Sequence, residues 1–138
     1  MRLHNYFRSS TSFRTRIALN LKGLDYDYVP WHLKEGQQRS ADYLALNPHG
    51  LVPALEFDDG KVLGQSLAII EYLDETHPEP PLLPGDAWAR ARIRSIAYTV
   101  ACDIHPINNL RILQYLADPL GHDAGEVAVW FRTWVGVE

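Results

Sequence analysis

The chain has 138 residues, 46% hydrophobic and 22% charged, with a formal net charge of -4 from 13 basic and 17 acidic side chains. That make-up excludes a disordered chain and describes one that folds around a core, as one domain or as a small domain with part of a second. No run of Lys or Arg marks a polyanion-binding surface, no apolar run reaches membrane-spanning length and the N-terminal residues lack a signal-peptide core, so neither nucleic acid nor a membrane is an expected partner.

Residues 3–7 alternate as a strand does. They run into Ser9, Ser10, Thr11 and Ser12, helix-capping residue types set directly before Phe13, Ile17, Ala18 and Leu21 at helical spacing. The pattern predicts a helix from Phe13 to Lys22, with Gly23 as its C-cap. Unpaired amides and the macrodipole at a helix start favour negative charge, which makes this corner the first candidate site. Residues 26–33 read as a second strand and complete a β-α-β unit with parallel strands. Ser40 is placed to cap a short helix to Leu46, and Asn47-Pro48-His49-Gly50 is a loop. Residues 51–57 read as a strand, Asp58-Asp59-Gly60 as a hairpin turn and 61–63 as the returning strand. Pro53 within that pattern would remove a ladder hydrogen bond, which a cis Val52-Pro53 bond accounts for. Gly64-Gln65-Ser66 then leads into a helix over 67–76, with Ser66 as N-cap and Leu67, Ile70 and Leu73 on one face.

The order β-α-β-α-β-β-α is that of an α/β, thioredoxin-like domain, placed at 1–78. Pro80, Pro81 and Pro84 stiffen a connector over 79–86, and a helical domain follows from 87 to 138. Its first helix carries Trp88, Ala91, Ile96 and Val100, with Arg90 and Arg92 on a solvated face. Pro106 predicts a kink or restart over 103–107. A further helix starts at Glu126 and meets no stop signal over 135–138, which leaves Val129, Trp130, Phe131 and Trp134 needing partners. Too few residues follow the connector to bury these faces, so the all-α domain is expected to be incomplete.

A thioredoxin-like half, a proline-rich connector and a helical half together resemble the glutathione transferase superfamily, and more narrowly its zeta class. Ser9-Ser10-Thr11-Ser12-Phe13-Arg14 resembles that class's serine-rich corner, Leu51-Val52-Pro53-Ala54-Leu55 its cis-proline strand, and Gln65-Ser66-Leu67-Ala68-Ile69-Ile70 its glutathione-anchoring turn. Residues 103–109 followed by Arg111 are similar to the class's glutathione-dependent isomerases of maleyl diketo acids. The resemblance implies glutathione as cofactor, a homodimer, and cis-trans isomerisation of a maleyl acid to its fumaryl isomer in aromatic catabolism. Many zeta members have cysteine where Thr11 stands, whereas members acting on maleylpyruvate resemble this chain in having threonine. Maleylpyruvate is therefore the favoured substrate, with maleylacetoacetate second.

The residues can support that chemistry. A thiolate that adds to a conjugated double bond leaves a single bond free to rotate before the sulfur departs. A free thiol has a pKa of about 8.5, and lowering it by about two units takes roughly 2.7 kcal/mol. A helix end contributes about 0.3–1 kcal/mol and one hydrogen bond to the charged sulfur about 1.5–3 kcal/mol, so a hydroxyl at a helix start suffices. Ser9 is the first choice as donor, with Ser10 and Thr11 beside it, and Ser12 reads as a cap. Arg8 at the corner and Arg111 are suitable carboxylate clamps, while Arg14 reads as structural or as electrostatic support. The γ-glutamyl carboxylate is expected at Gln65-Ser66, and the cysteinyl main chain against Val52 beside Pro53. By resemblance, Gln38, His105 and Asn109 complete the site.

Cys102, the single cysteine, can form no internal disulfide, which fits a reducing, cytoplasmic setting. It lies three residues before His105, a spacing open to a nucleophile-base pair, but a buried free cysteine acting as a small hydrophobe is the commoner case. The remaining histidines show no metal-ligand spacing, and no metal site is expected. Two alternatives stay open: a general glutathione conjugating enzyme or dehalogenase, and a transferase-like binding protein without turnover.

Overall fold

The computed structural model describes residues 1–136, in two compact units that divide between Leu82 and Leu83.

The first unit is a four-stranded mixed sheet with helices. Its elements are β1 (Arg2–Asn5), α1 (Ser10–Leu21), β2 (Asp27–Pro30), α2 (Ala41–Leu46), β3 (Ala54–Glu56), β4 (Val62–Gly64) and α3 (Ser66–Thr76), and the sheet order is β2-β1-β3-β4. β1 and β2 are parallel, with Leu3 opposite Tyr28, while β3 is antiparallel to both β1 and β4, with Leu55 between Leu3 and Leu63. This is the thioredoxin-like arrangement that the order of sequence patterns requires.

Alternation along β1 builds two layers. Leu3 enters the core cluster with Leu19 of α1, Leu55 of β3, and Ile69 and Leu73 of α3. All five are fully buried, and each contributes about 1.5–3 kcal/mol by leaving water. His4 meets the rings of Trp31 and Tyr43, and accepts from Trp31 Nε1 at 3.0 Å. That bond to Nδ1 fixes the proton on Nε2, which donates to Glu56 at 2.8 Å. Lys22 closes the other end of α1. Its buried ammonium donates to Asp74 Oδ1 at 2.5 Å and to the His77 and Pro80 carbonyls at 2.6 Å, so all three protons are used.

Element boundaries differ from the sequence expectations for identifiable reasons. The first strand ends at Asn5 rather than residue 7 because Ser9 N–H turns back to the Tyr6 carbonyl at 3.0 Å. Helix α1 begins at Ser10, three residues before Phe13, with Ser9 as the cap that accepts from Ser12 N–H. Ser12 is therefore not a cap: it lies fully buried inside the first turn, its hydroxyl without a partner. The second strand stops at Pro30, and the third starts only after Pro53; neither proline can donate to a ladder. Val52-Pro53 is cis, as is Glu79-Pro80.

In α3 the expected Ser66 cap is corrected to Gln65, which has φ +65° and makes no side-chain cap bond. The buried stripe is Ser66, Ile69 and Leu73 rather than Leu67, Ile70 and Leu73. The sequence face was one residue out of phase because Leu67 and Ile70, though apolar, only flank the contact with the sheet and are half-buried.

The second unit is helical: α4 (Ala87–Tyr98), a wide π turn over Thr99–Ile104, a 3-10 turn over Pro106–Asn108, α5 (Leu110–Ala117) and α6 (Ala124–Val135). The disruption expected at 103–107 starts earlier, at Thr99, since Pro106 both lacks an N–H and crowds the carbonyl four residues before it. Cys102, expected to be buried, is exposed on that turn. Helix α6 begins two residues before Glu126, because Asp123 and Glu126 form a reciprocal capping box. Its described part runs to Val135, with Gly136 at the C-cap. Residues 137 and 138, the rest of that run, lie outside the described residues. Trp130 donates to the Ile107 carbonyl at 2.9 Å and meets the Trp134 ring, while Val129 and Phe131 are exposed. Arg90 and Arg92 are solvated. Among the described residues no helix is long and apolar enough to cross a membrane.

Candidate active site

The corner between β1 and α1 holds Arg8, Ser9, Ser10 and Thr11 together, because one tight turn must join a buried strand end to a capped helix. Arg16, which sequence reasoning did not single out, fastens this turn. Its guanidinium donates to Asn5 Oδ1 at 2.8 Å and to the Phe7 carbonyl at 3.3 Å, and the buried Asn5 amide in turn donates to the Leu3 carbonyl. Arg16 is thus an arginine on the helix that reads the carbonyls of the turn before it. The signal was a third arginine within two turns of the corner, on the helix rather than in the turn.

Ser9 Oγ accepts from Ser12 N–H at 3.2 Å and lies 2.8 Å from Thr11 Oγ1. Thr11 Oγ1 donates to the carbonyl of Val52, 3.0 Å away and 41 residues along the chain. Two of the expected site segments, the hydroxyl corner and the cis-proline segment, are joined by this bond. The preceding carbonyl, that of Leu51, is clamped by Tyr43 Oη and Asn47 Nδ2, both at 2.7 Å. Asn47 also lies against Gly64, 3.7 Å from where a Cβ there would stand, one residue before Gln65-Ser66. By type Asn47 is a turn residue, and its place before Leu51-Val52-Pro53 is the signal for this second task.

Charge at the corner is positive and open. Arg8 is exposed and Arg14 half-buried, and neither makes an ion pair or hydrogen bond among the described residues. Burial pulls the Arg14 guanidinium below its ordinary pKa, so its environment lacks a compensating anion. No acidic residue stands in the first turn of α1 or of α3. At α3 the first amides have no side-chain cap and Ser66 is buried at the helix start, which leaves donors for a carboxylate.

The other expected site residues are placed as follows. Gln38 sits in a 3-10 turn, Gln37–Arg39, with its Oε1 buried and unpartnered and its carbonyl beside Gly50. His105, Asn109 and Arg111 belong to the second unit. Asn109 caps α5, accepting from Ile112 N–H and donating to the Pro106 carbonyl, while Arg111 is exposed one residue into that helix. An apolar groove of about 420 Å³ in the same unit is lined by Leu116, Val127, Val129, Trp130 and Trp134 and by none of the expected site residues.

A thioredoxin-like domain with a hydroxyl-rich, positively charged helix corner and a cis proline, followed by a helical unit, is the class these observations define. The sequence profile of the glutathione S-transferase N-terminal domain matches residues 8–76. The chain belongs to the glutathione S-transferase family, and its relatives place it with the zeta class. It is 51% identical over 138 residues to a maleylacetoacetate isomerase of Pseudomonas aeruginosa, covering 99% of this chain and 65% of the relative. It is also 51% identical over 135 residues to a maleylpyruvate isomerase of a Ralstonia species, covering 98% and 63%. Among solved structures, a holo maleylpyruvate isomerase described as a bacterial zeta-class glutathione S-transferase superposes with a TM-score of 0.95 at 51% identity, covering 99% of this chain and 64% of that one. A maleylacetoacetate isomerase from Methylobacterium extorquens, with bound malonate and glutathione, gives a TM-score of 0.93 at 45% identity, covering 96% and 62%. The chain thus spans just under two thirds of the length of the relatives it matches.

Proposed function

We propose that the protein takes part in glutathione-dependent cis-trans isomerisation of a maleyl diketo acid, with maleylpyruvate favoured and maleylacetoacetate second. The observation that carries this reading is the hydroxyl corner of Ser9 and Thr11 tied to Val52, flanked by two arginines without anionic partners. Relatives of both names at equal identity support the reaction class but do not separate the two acids. Thr11 in place of cysteine is what favours maleylpyruvate.

The residues present fit glutathione. The uncapped start of α3 at Gln65-Ser66 offers amides for its α-carboxylate, and Val52 offers main-chain groups beside a proline that has none to donate. Gln38 Oε1, buried and unpartnered, is an acceptor left for an ammonium or amide. Glutathione, when bound, supplies the thiolate that adds reversibly to the conjugated double bond. The chain's part is to hold and polarise. Ser9, at the positive end of α1, stabilises negative sulfur by a hydroxyl bond and the helix field. Arg8 holds a substrate carboxylate and favours the negative charge that develops on the conjugated carbonyl. Arg111, His105 and Asn109 are assigned to the site by resemblance, with Arg111 as the second carboxylate clamp.

Homodimerisation and a cytoplasmic setting complete the proposal. Both acids are assayed with the protein at fixed concentration, with and without glutathione. Faster fumaryl product formation only with glutathione is expected, and equal rates with and without it for both acids sink the reading.

A further inference from the structure

Proton bookkeeping at the corner gives Thr11 a different task from Ser9. The Val52 carbonyl can only accept, so the 3.0 Å bond uses the single hydroxyl proton of Thr11. The 2.8 Å contact between Ser9 Oγ and Thr11 Oγ1 is then filled by the serine proton. Ser9 Oγ accepts in turn from Ser12 N–H at 3.2 Å. Donation therefore runs one way, from Ser12 N–H through Ser9 and Thr11 to the Val52 carbonyl. Ser9 keeps a lone pair but has no proton to spare, and Thr11 has none either.

We propose that Thr11 is a positioning residue that straps the Val52-Pro53 segment to the start of α1 and accepts the Ser9 hydroxyl hydrogen bond until the thiolate of bound glutathione accepts it instead. The inference rests on reading the corner as a glutathione site. Its physical basis is the difference between a charged and a neutral acceptor. A hydrogen bond to an anion is roughly twice as strong as one between neutral groups, so the Ser9 proton turns from Thr11 to a thiolate but stays with Thr11 beside a thiol. Giving up the neutral bond works against ionisation, which makes Thr11 a brake on thiolate formation. The strap is the other half of the role. Val52 is held from α1 by Thr11, while its neighbour Leu51 is held by Tyr43 and Asn47, so the main chain that faces the cofactor is fixed from two helices' worth of side chains. Thr11 is itself steadied by Thr15 Oγ1, which donates to its carbonyl at 3.2 Å.

The test uses this chain and its Thr11→Val, Thr11→Ser, Ser9→Ala and Ser9→Ala/Thr11→Val variants, reading the pKa of bound glutathione from thiolate ultraviolet absorbance. Thr11→Val is expected to lower that pKa by about half a unit to one unit, a roughly three- to tenfold gain in the thiolate ratio, while Thr11→Ser stays at the parent value. In the Ser9→Ala background the Thr11→Val effect disappears, because no serine hydroxyl remains to be redirected. A merely structural role would not depend on Ser9 in this way. A rise in pKa with Thr11→Val makes Thr11 the donor and overturns the proposal, as does no shift or an equal shift in both backgrounds. Denaturation of the ligand-free variants decides the strap separately: Thr11→Val lowers the urea midpoint and Thr11→Ser keeps most of it, and equal midpoints refute the strap. A parent chain that binds no glutathione overturns the cofactor reading and the change of acceptor with it, while the denaturation result still stands for the strap.

Discussion

The hydroxyl of Tyr43, fully buried, donates to the carbonyl of Leu51 at 2.7 Å, and so fixes the residue before Val52-Pro53 from the opposite side of the sheet to α1 and α3. Burial raises the Tyr43 pKa to about 12, outweighing the Asn47 hydrogen bond, which lowers it. The folded state thus prefers the neutral phenol more than the unfolded state does. Its contribution to stability is complete below the unfolded value near 10 and is lost as pH rises through about 12. Tyr43→Phe should cost about 1 kcal/mol at neutral pH and flatten the loss of stability between pH 10 and 12, measured as the difference between parent and variant urea midpoints. A difference that does not change over that window removes Tyr43 as the titrating group.

Ser9 caps α1, and in the proposed function it also meets the sulfur. Ser9→Ala should lower unfolding free energy by about 1 kcal/mol through the lost cap. It should also raise the bound thiol's pKa by about one to two units, and slow isomerisation accordingly. Loss of stability without a change in thiol pKa would leave Ser9 as a cap only and pass activation to Ser10 or the backbone.

Arg8 is exposed and makes no ion pair among the described residues, so its removal should leave the fold intact. Arg8→Ala is expected to lower kcat/KM for the maleyl acid about tenfold to a hundredfold, with glutathione affinity unchanged. Arg8→Lys should recover part of it, because an ammonium keeps the charge but not the paired geometry. Steady-state kinetics beside glutathione calorimetry separates this from a general effect on the site.

Lys22 carries no site chemistry, yet its side chain is fully buried against Asp74 and two carbonyls. Lys22→Met should cost about 3–5 kcal/mol, because it leaves a largely buried carboxylate without its cation and takes the ammonium donor from two carbonyls. Adding Asp74→Asn to that variant should return part of the loss. Urea unfolding of the single and double variants measures both numbers, and a single-variant cost near zero would mean that the network relaxes freely.

The element order of the first unit was legible because its periodicities are local and clean: alternation in residues 3–5, helical spacing after Ser12, and an Asp58-Asp59-Gly60 turn between two short strands. The cis state of Val52-Pro53 was legible too, since a proline in a strand pattern needs a special place. Phase was not. Ser12 and Ser9 are both good caps by type, and only the turn from Tyr6 to Ser9 decides which one ends the helix. Leu67 and Ile70 are as apolar as Ile69, and only contact with Leu3, Leu19 and Leu55 selects the buried stripe.

Sequence by itself determined which residue types meet at the corner, hydroxyls at a helix start with arginines around them, because capping and spacing act over a few residues. Tertiary structure decided what those hydroxyls are doing. The direction of a hydroxyl proton depends on the acceptor it finds, and for Thr11 that acceptor is the Val52 carbonyl, 41 residues away. No local pattern carries information over that separation; the pairing of β1 with β3 brings the two segments together and settles it.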